Sequence, residues 1–99
     1  MLKITIKDGE TVQTIRLEGK IVGPWVDEFD RAWHAMETDG SKQLRLDLCG
    51  VDFVDDRGRR LLQDIYRKTH ASFLANSPLT HYFADEAMQQ ESRVRDQGD

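Results

Sequence analysis

The chain has 99 residues and carries 14 Lys and Arg against 18 Asp and Glu, a formal net charge of −4. That length suits one domain and excludes a two-lobed enzyme with a cleft between lobes. The acidic balance excludes non-specific nucleic-acid binding, which needs a basic face. Twenty-four residues are Leu, Ile, Val or Phe, above the roughly 20% below which chains stay disordered. The charges nearly cancel, so self-repulsion is small, and a folded domain with a charged surface is expected.

Taken in chain order, Leu2, Ile4 and Ile6 alternate with Lys3, Thr5 and Lys7. Asp8-Gly9 then supplies a turn, and Ile15, Leu17, Gly19 and Ile21 alternate with Thr14, Arg16, Glu18 and Lys20. Two alternating runs joined by a turn predict an antiparallel hairpin. The opening run is therefore a strand, without the apolar stretch of a secretory signal.

After Gly23-Pro24 the period becomes helical, with Trp25, Val26, Phe29, Ala32, Trp33 and Met36 on one stripe. Pro24 suits the first helical position, Asp27 and Glu28 suit the first turn, and Gly40 is the expected terminator. Leu44, Leu46 and Leu48 form a third strand, followed by a loop. From about Asp56, Leu61, Leu62, Ile65 and Thr69 define a second amphipathic helix. Ala71 to Ala75 reads as a short strand, and Ser77-Pro78 opens a third helix carrying Leu79, Tyr82, Phe83 and Ala87. The domain is placed at residues 1–90, with 91–99, ESRVRDQGD, a polar tail expected to fray.

The order is β-β-α-β-α-β-α, an α/β class with right-handed crossovers and a mixed sheet. Polar residues at every second strand position predict helices packed mainly on one face. The other face is then open and charged, with Lys3, Arg16, Glu18, Arg45 and Asp47. No apolar run could span a membrane, and the single cysteine, Cys49, makes no internal disulfide. A cytoplasmic domain without direct membrane insertion is expected.

The densest chemistry lies in Asp47 to Gly58, between the third strand and the second helix. Such strand ends are where ligands and partners bind in α/β sheets. Asp55 or Asp56 could cap the helix and interact with its dipole. Here the sequence resembles the STAS domain, named for sulfate transporters and anti-sigma-factor antagonists. In that family a strand ending in apolar-Asp-apolar leads to apolar-Asp-Ser/Thr-x-Gly at a helix start. Leu46-Asp47-Leu48, Val51-x-Phe53-Val54-Asp55, Gly58 and Leu61-Leu62 fit that order, and Leu17-x-Gly19-x-Ile21 fits the preceding strand.

The resemblance implies a non-enzymatic regulatory module without a cofactor. In anti-sigma-factor antagonists a partner-kinase anti-sigma factor phosphorylates the Ser or Thr after the motif aspartate, and this breaks the complex. Here Asp56 occupies that place, and it cannot take a stable phosphate from a Ser/Thr kinase. Either the module is locked in a phosphorylated-like state or its partner is built for Asp56. The expected interface is Asp52, Asp55, Asp56, Arg57, Gly58, Arg59 and Arg60. Asp55 would cap the helix, and the arginines would invite an acidic partner patch.

The partner is thus expected to be an anti-sigma factor of the serine-kinase type. The alternative is a non-catalytic STAS subunit docked on the ABC-type ATPase of a lipid-transport complex. A homodimer is left open. A magnesium or aspartyl-phosphate site from Asp47, Asp52, Asp55 and Asp56 is disfavoured, because Asp47 points away from the apolar face and the first strand ends without an acid. His34, His70 and His81 lack metal-ligand spacing and read as surface or helix-end residues. Cys49 reads as packing. Ser77 is expected to cap the third helix, with Ser77 and Thr80 left as a second place for modification.

Overall fold

The computed structural model describes residues 1–36 and 41–88. Strands β1 (Leu2–Asp8), β2 (Val12–Ile21), β3 (Gln43–Val54) and β4 (Ser72–Leu74) alternate with helices α1 (Pro24–Ala35), α2 (Asp56–Thr69) and α3 (Pro78–Met88). The sheet order is β1-β2-β3-β4. β1 runs antiparallel to β2, while β2–β3 and β3–β4 are parallel. This is the mixed β-β-α-β-α-β-α arrangement read from the periodicities. Gly40 and the tail from 91 to 99 lie outside the described residues.

One core lies on one face of the sheet. Ile15, Leu17, Ile21, Leu46 and Leu48 are buried there with Val26 and Phe29 from α1 and Leu62 and Ile65 from α2. Each such side chain contributes about 1.5–3 kcal/mol when fully buried. On the opposite face Arg16 pairs with Glu18 at 3.4 Å, half-exposed, as the alternation predicts. The first strand is less covered than its pattern suggests: Leu2 is buried, Ile4 partly, and Ile6 is exposed. Gln13 is buried at the matching end of β2.

The third strand departs from expectation. It does not stop at Leu48 but continues through Cys49 to Val54, so the expected loop is strand. Two register shifts against β2 explain the misreading. Arg16 faces Asp47 while Glu18 faces Gly50, and Gly19 faces Val51 while Lys20 faces Phe53. Each shift adds one residue to β3, a bulge in a parallel pair. The buried positions therefore pass from Leu44, Leu46 and Leu48 to Val51 and Val54, and a period of two no longer fits.

Helix α1 begins at Pro24 and ends at Ala35, and Met36 is already extended (φ −73°, ψ 140°). Val26, Phe29 and Trp33 are buried, and Trp25 packs at the edge of the core. Helix α3, which packs against α2 and β3, buries Thr80, Phe83, Ala84 and Ala87. Of the four apolar residues expected on this helix, Phe83 and Ala87 are buried, while Leu79 and Tyr82 are exposed. Strand β4 pairs with β3 only at Arg45 to Asp47, and α3 packs against β3.

Candidate functional site

Asp55 sits between β3 and α2 and organises both crossover loops. Its backbone is extended (φ −86°, ψ −177°), as an N-cap requires, and Oδ1 accepts the Gly58 amide at 2.8 Å. Oδ2 accepts the Gly23 amide at 2.9 Å, at the start of α1. The Asp55 amide itself donates to the Ile21 carbonyl at 3.1 Å. Gly23 has φ +52° and so adopts a conformation that favours glycine. One carboxylate therefore ties the ends of β2 and β3 and the starts of α1 and α2 together.

Burial of Asp55 acts to raise its pKa, but the Gly23 and Gly58 amides and the Arg57 charge outweigh it. The net shift is downward, so the carboxylate is held ionised. Arg57 adds a second tie, donating to the Gly23 carbonyl at 3.3 Å and to Asp27 Oδ1 on α1 at 2.6 Å. Gly58 is needed for close approach: a Cβ there would meet the Ile21 carbonyl oxygen at 2.7 Å and Val54 Cγ1 at 3.0 Å.

Asp56 is the first residue of α2, and its side chain is 74% exposed. Arg59 donates to its Oδ1 at 2.6 Å and also lies 3.6 Å from Glu86 on α3. Asp52, on β3, pairs with Lys20 of β2 at 3.1 Å. Arg60 is exposed. The expected interface residues thus share one end of the sheet, but they do not form a cationic rim. Arg57 and Arg59 spend their charge on carboxylates of their own chain.

Beside Asp56 lies a cleft of about 550 Å³, lined by the end of β3, the start of α2 and one face of α3. Phe53, Leu79 and Tyr82 contribute half-exposed apolar surface, at 50%, 47% and 53%. The sequence reading missed this role for Leu79 and Tyr82. Their signal was present: α3 carries more apolar residues than one buried stripe needs.

The other candidates resolve into structural roles. Asp47 Oδ1 accepts the Cys49 amide at 3.0 Å, in a strand rather than a metal cluster. Among the described residues, no three His, Cys, Asp or Glu side chains gather in a way that could hold a metal ion. His34 closes the last turn of α1, and His70 caps α2 in a left-handed conformation (φ 56°). His81 Nδ1 lies 2.9 Å from the Ser77 carbonyl. Burial raises the Cys49 thiol pKa, and Asp47 adds to the effect. Ser77 caps α3 through the Thr80 amide at 3.1 Å. Thr80 is 2% exposed, and its hydroxyl accepts the Asn76 and Ser77 amides. It is closed to modification.

No family model and no curated protein matches the sequence. Solved structures do. An anti-sigma factor antagonist from Mycobacterium paratuberculosis aligns with a TM-score of 0.68 at 20% identity, over 98% of this chain and 82% of that one. The STAS domain of an antisigma-factor antagonist from Rhodobacter sphaeroides aligns with a TM-score of 0.56 at 18% identity, over 88% and 95%. A structure described as Mglu aligns with a TM-score of 0.61 at 23% identity, but this chain spans only 19% of that one. The fold is therefore that of a STAS domain. No helix among the described residues is long and apolar enough to cross a membrane.

Proposed function

We propose that the chain is a regulatory docking module of the anti-sigma-factor-antagonist kind, without catalysis of its own. Its surface is the start of α2, from Asp52 to Arg60, with the neighbouring cleft. One observation carries this reading: Asp56, exposed at the first position of α2, directly follows Asp55, whose carboxylate is held by the Gly23 and Gly58 amides. A rigid, exposed residue beside an apolar cleft is suited to close docking. The partner is a kinase-type anti-sigma factor.

Asp56 supplies one charge, already paired with Arg59, where a phosphoryl group would add about 1.5 to 2. Its imitation of a phosphorylated state is weak. The partner surface is therefore adapted to Asp56, and the complex is not switched at this residue.

The test mixes the purified chain with a kinase-type anti-sigma factor from the same organism, with and without ATP. The expected result is a complex that survives ATP, while the complex of Asp56→Ser dissociates on phosphorylation. If neither protein binds, the reading is wrong. If only Asp56→Ser binds, the native chain is locked rather than adapted. Co-purification with an ABC-type ATPase would move the assignment to a transport-complex subunit.

A further inference from the structure

We infer that the cleft between β3, α2 and α3 receives an amphipathic helix of the partner whose apolar face is flanked by Lys or Arg. This deepens the docking function proposed above and rests on it. Phe53, Leu79 and Tyr82 supply the apolar surface, all about half exposed around a cleft of about 550 Å³. A groove of that kind accepts anchors spaced i, i+3 or i+4 on a helix. Aromatic side chains at such a position supply large contact area at low entropic cost.

Charge selects the partner's sign. Asp52, Asp56 and Glu86 line the cleft, and Arg59 is the cation among the lining residues; Asp55 also lines it, but its two oxygens are taken by the Gly23 and Gly58 amides. Arg59 is held between Asp56 and Glu86, so a partner carboxylate would have to displace one of them. The exposed Asp56 and Asp52 bond Arg59 and Lys20 through Oδ1, and each is more than half exposed. An incoming ammonium or guanidinium thus meets carboxylates, whereas an acidic helix meets repulsion. The arginine content of the segment, read without pairing, gave the opposite sign.

The test uses the full isotope-labelled chain and two synthetic amphipathic helices with identical leucine faces, one flanked by lysine and the other by glutamate. The lysine peptide should shift the amide signals of Phe53, Asp56, Leu79 and Tyr82. It should bind about tenfold tighter than its twin at low salt, and the advantage should shrink at about 1 M salt. Asp52→Lys with Glu86→Lys, checked for retained spectral dispersion, should abolish the preference. Equal or tighter binding of the glutamate peptide, or shifts confined to the open sheet face, would overturn the inference. An anti-sigma factor that binds the chain while the lysine peptide misses the cleft defeats this inference alone. A lysine peptide that binds while no anti-sigma factor does supports it and defeats only the identity of the partner.

Discussion

Asp55 accepts the amide proton of Gly23 at 2.9 Å across 32 residues of sequence, while its other oxygen caps its own helix. The bond makes the two crossover loops one unit. Asp55→Ala removes an N-cap and a charge-assisted hydrogen bond together and leaves both amides without that acceptor. A loss of about 2–3 kcal/mol follows. In a domain of this size that lowers the melting temperature by roughly 8–24 °C. Thermal unfolding followed by circular dichroism measures it, and a shift below about 2 °C would contradict the bridging role.

The same carboxylate sets part of the acid response. Amide hydrogen bonds and Arg57 outweigh burial and lower the Asp55 pKa, while bonds from Arg67 and Lys68 outweigh burial at Asp64. A folded-state pKa below the unfolded value means that the unfolded chain binds the proton more readily. These contributions are complete above the ordinary value of 3.8 and disappear as pH falls through the lowered values. Urea midpoints should therefore fall steeply below about pH 4. Asp55→Asn should flatten that slope.

Gly58→Ala pits helix propensity against packing. Alanine gains about 1 kcal/mol in a helix interior. Its Cβ, however, would sit 2.7 Å from the Ile21 carbonyl oxygen and 3.0 Å from Val54. Backbone on one side and a buried valine on the other leave little room to relax. The clash prevails, with a net loss of about 1–3 kcal/mol, read as a lower urea midpoint at unchanged slope.

Asp56→Ser should separate stability from function. The residue is 74% exposed, and its ion pair with Arg59 is a surface pair. Such pairs contribute about 0–1 kcal/mol, so the melting temperature should stay within a few degrees. A large drop in stability would show that Asp56 serves the fold rather than the docking surface.

The arrangement of elements was readable because its signals are local. Alternation marks β1 and β2, Gly23-Pro24 opens α1, and Asp55 to Gly58 opens α2 at the expected residue. The bridge from Asp55 to Gly23 was not readable, since sequence spacing does not show which loops meet. The arginines misled in part for the same reason: Asp27, the partner of Arg57, and Glu86, the second partner of Arg59, lie on other helices, although Asp56 stands one turn from Arg59 on α2 itself. Which apolar residues of α3 are buried was not readable either, because periodicity counts apolar residues on a face without showing how much of that face is covered.

The two extra residues in β3 have a consequence for how this site can vary. Between Leu48 and Val54 the strand carries spare length relative to β2, and that length delivers Asp55 opposite Gly23. Removing one residue there would draw the carboxylate back by about 3.3 Å, beyond reach of the amide, and turn a buried valine to solvent. Residues such as Cys49 and Asp52 can therefore change identity more freely than they can be lost. In this segment the fold constrains the count of residues more tightly than their chemistry.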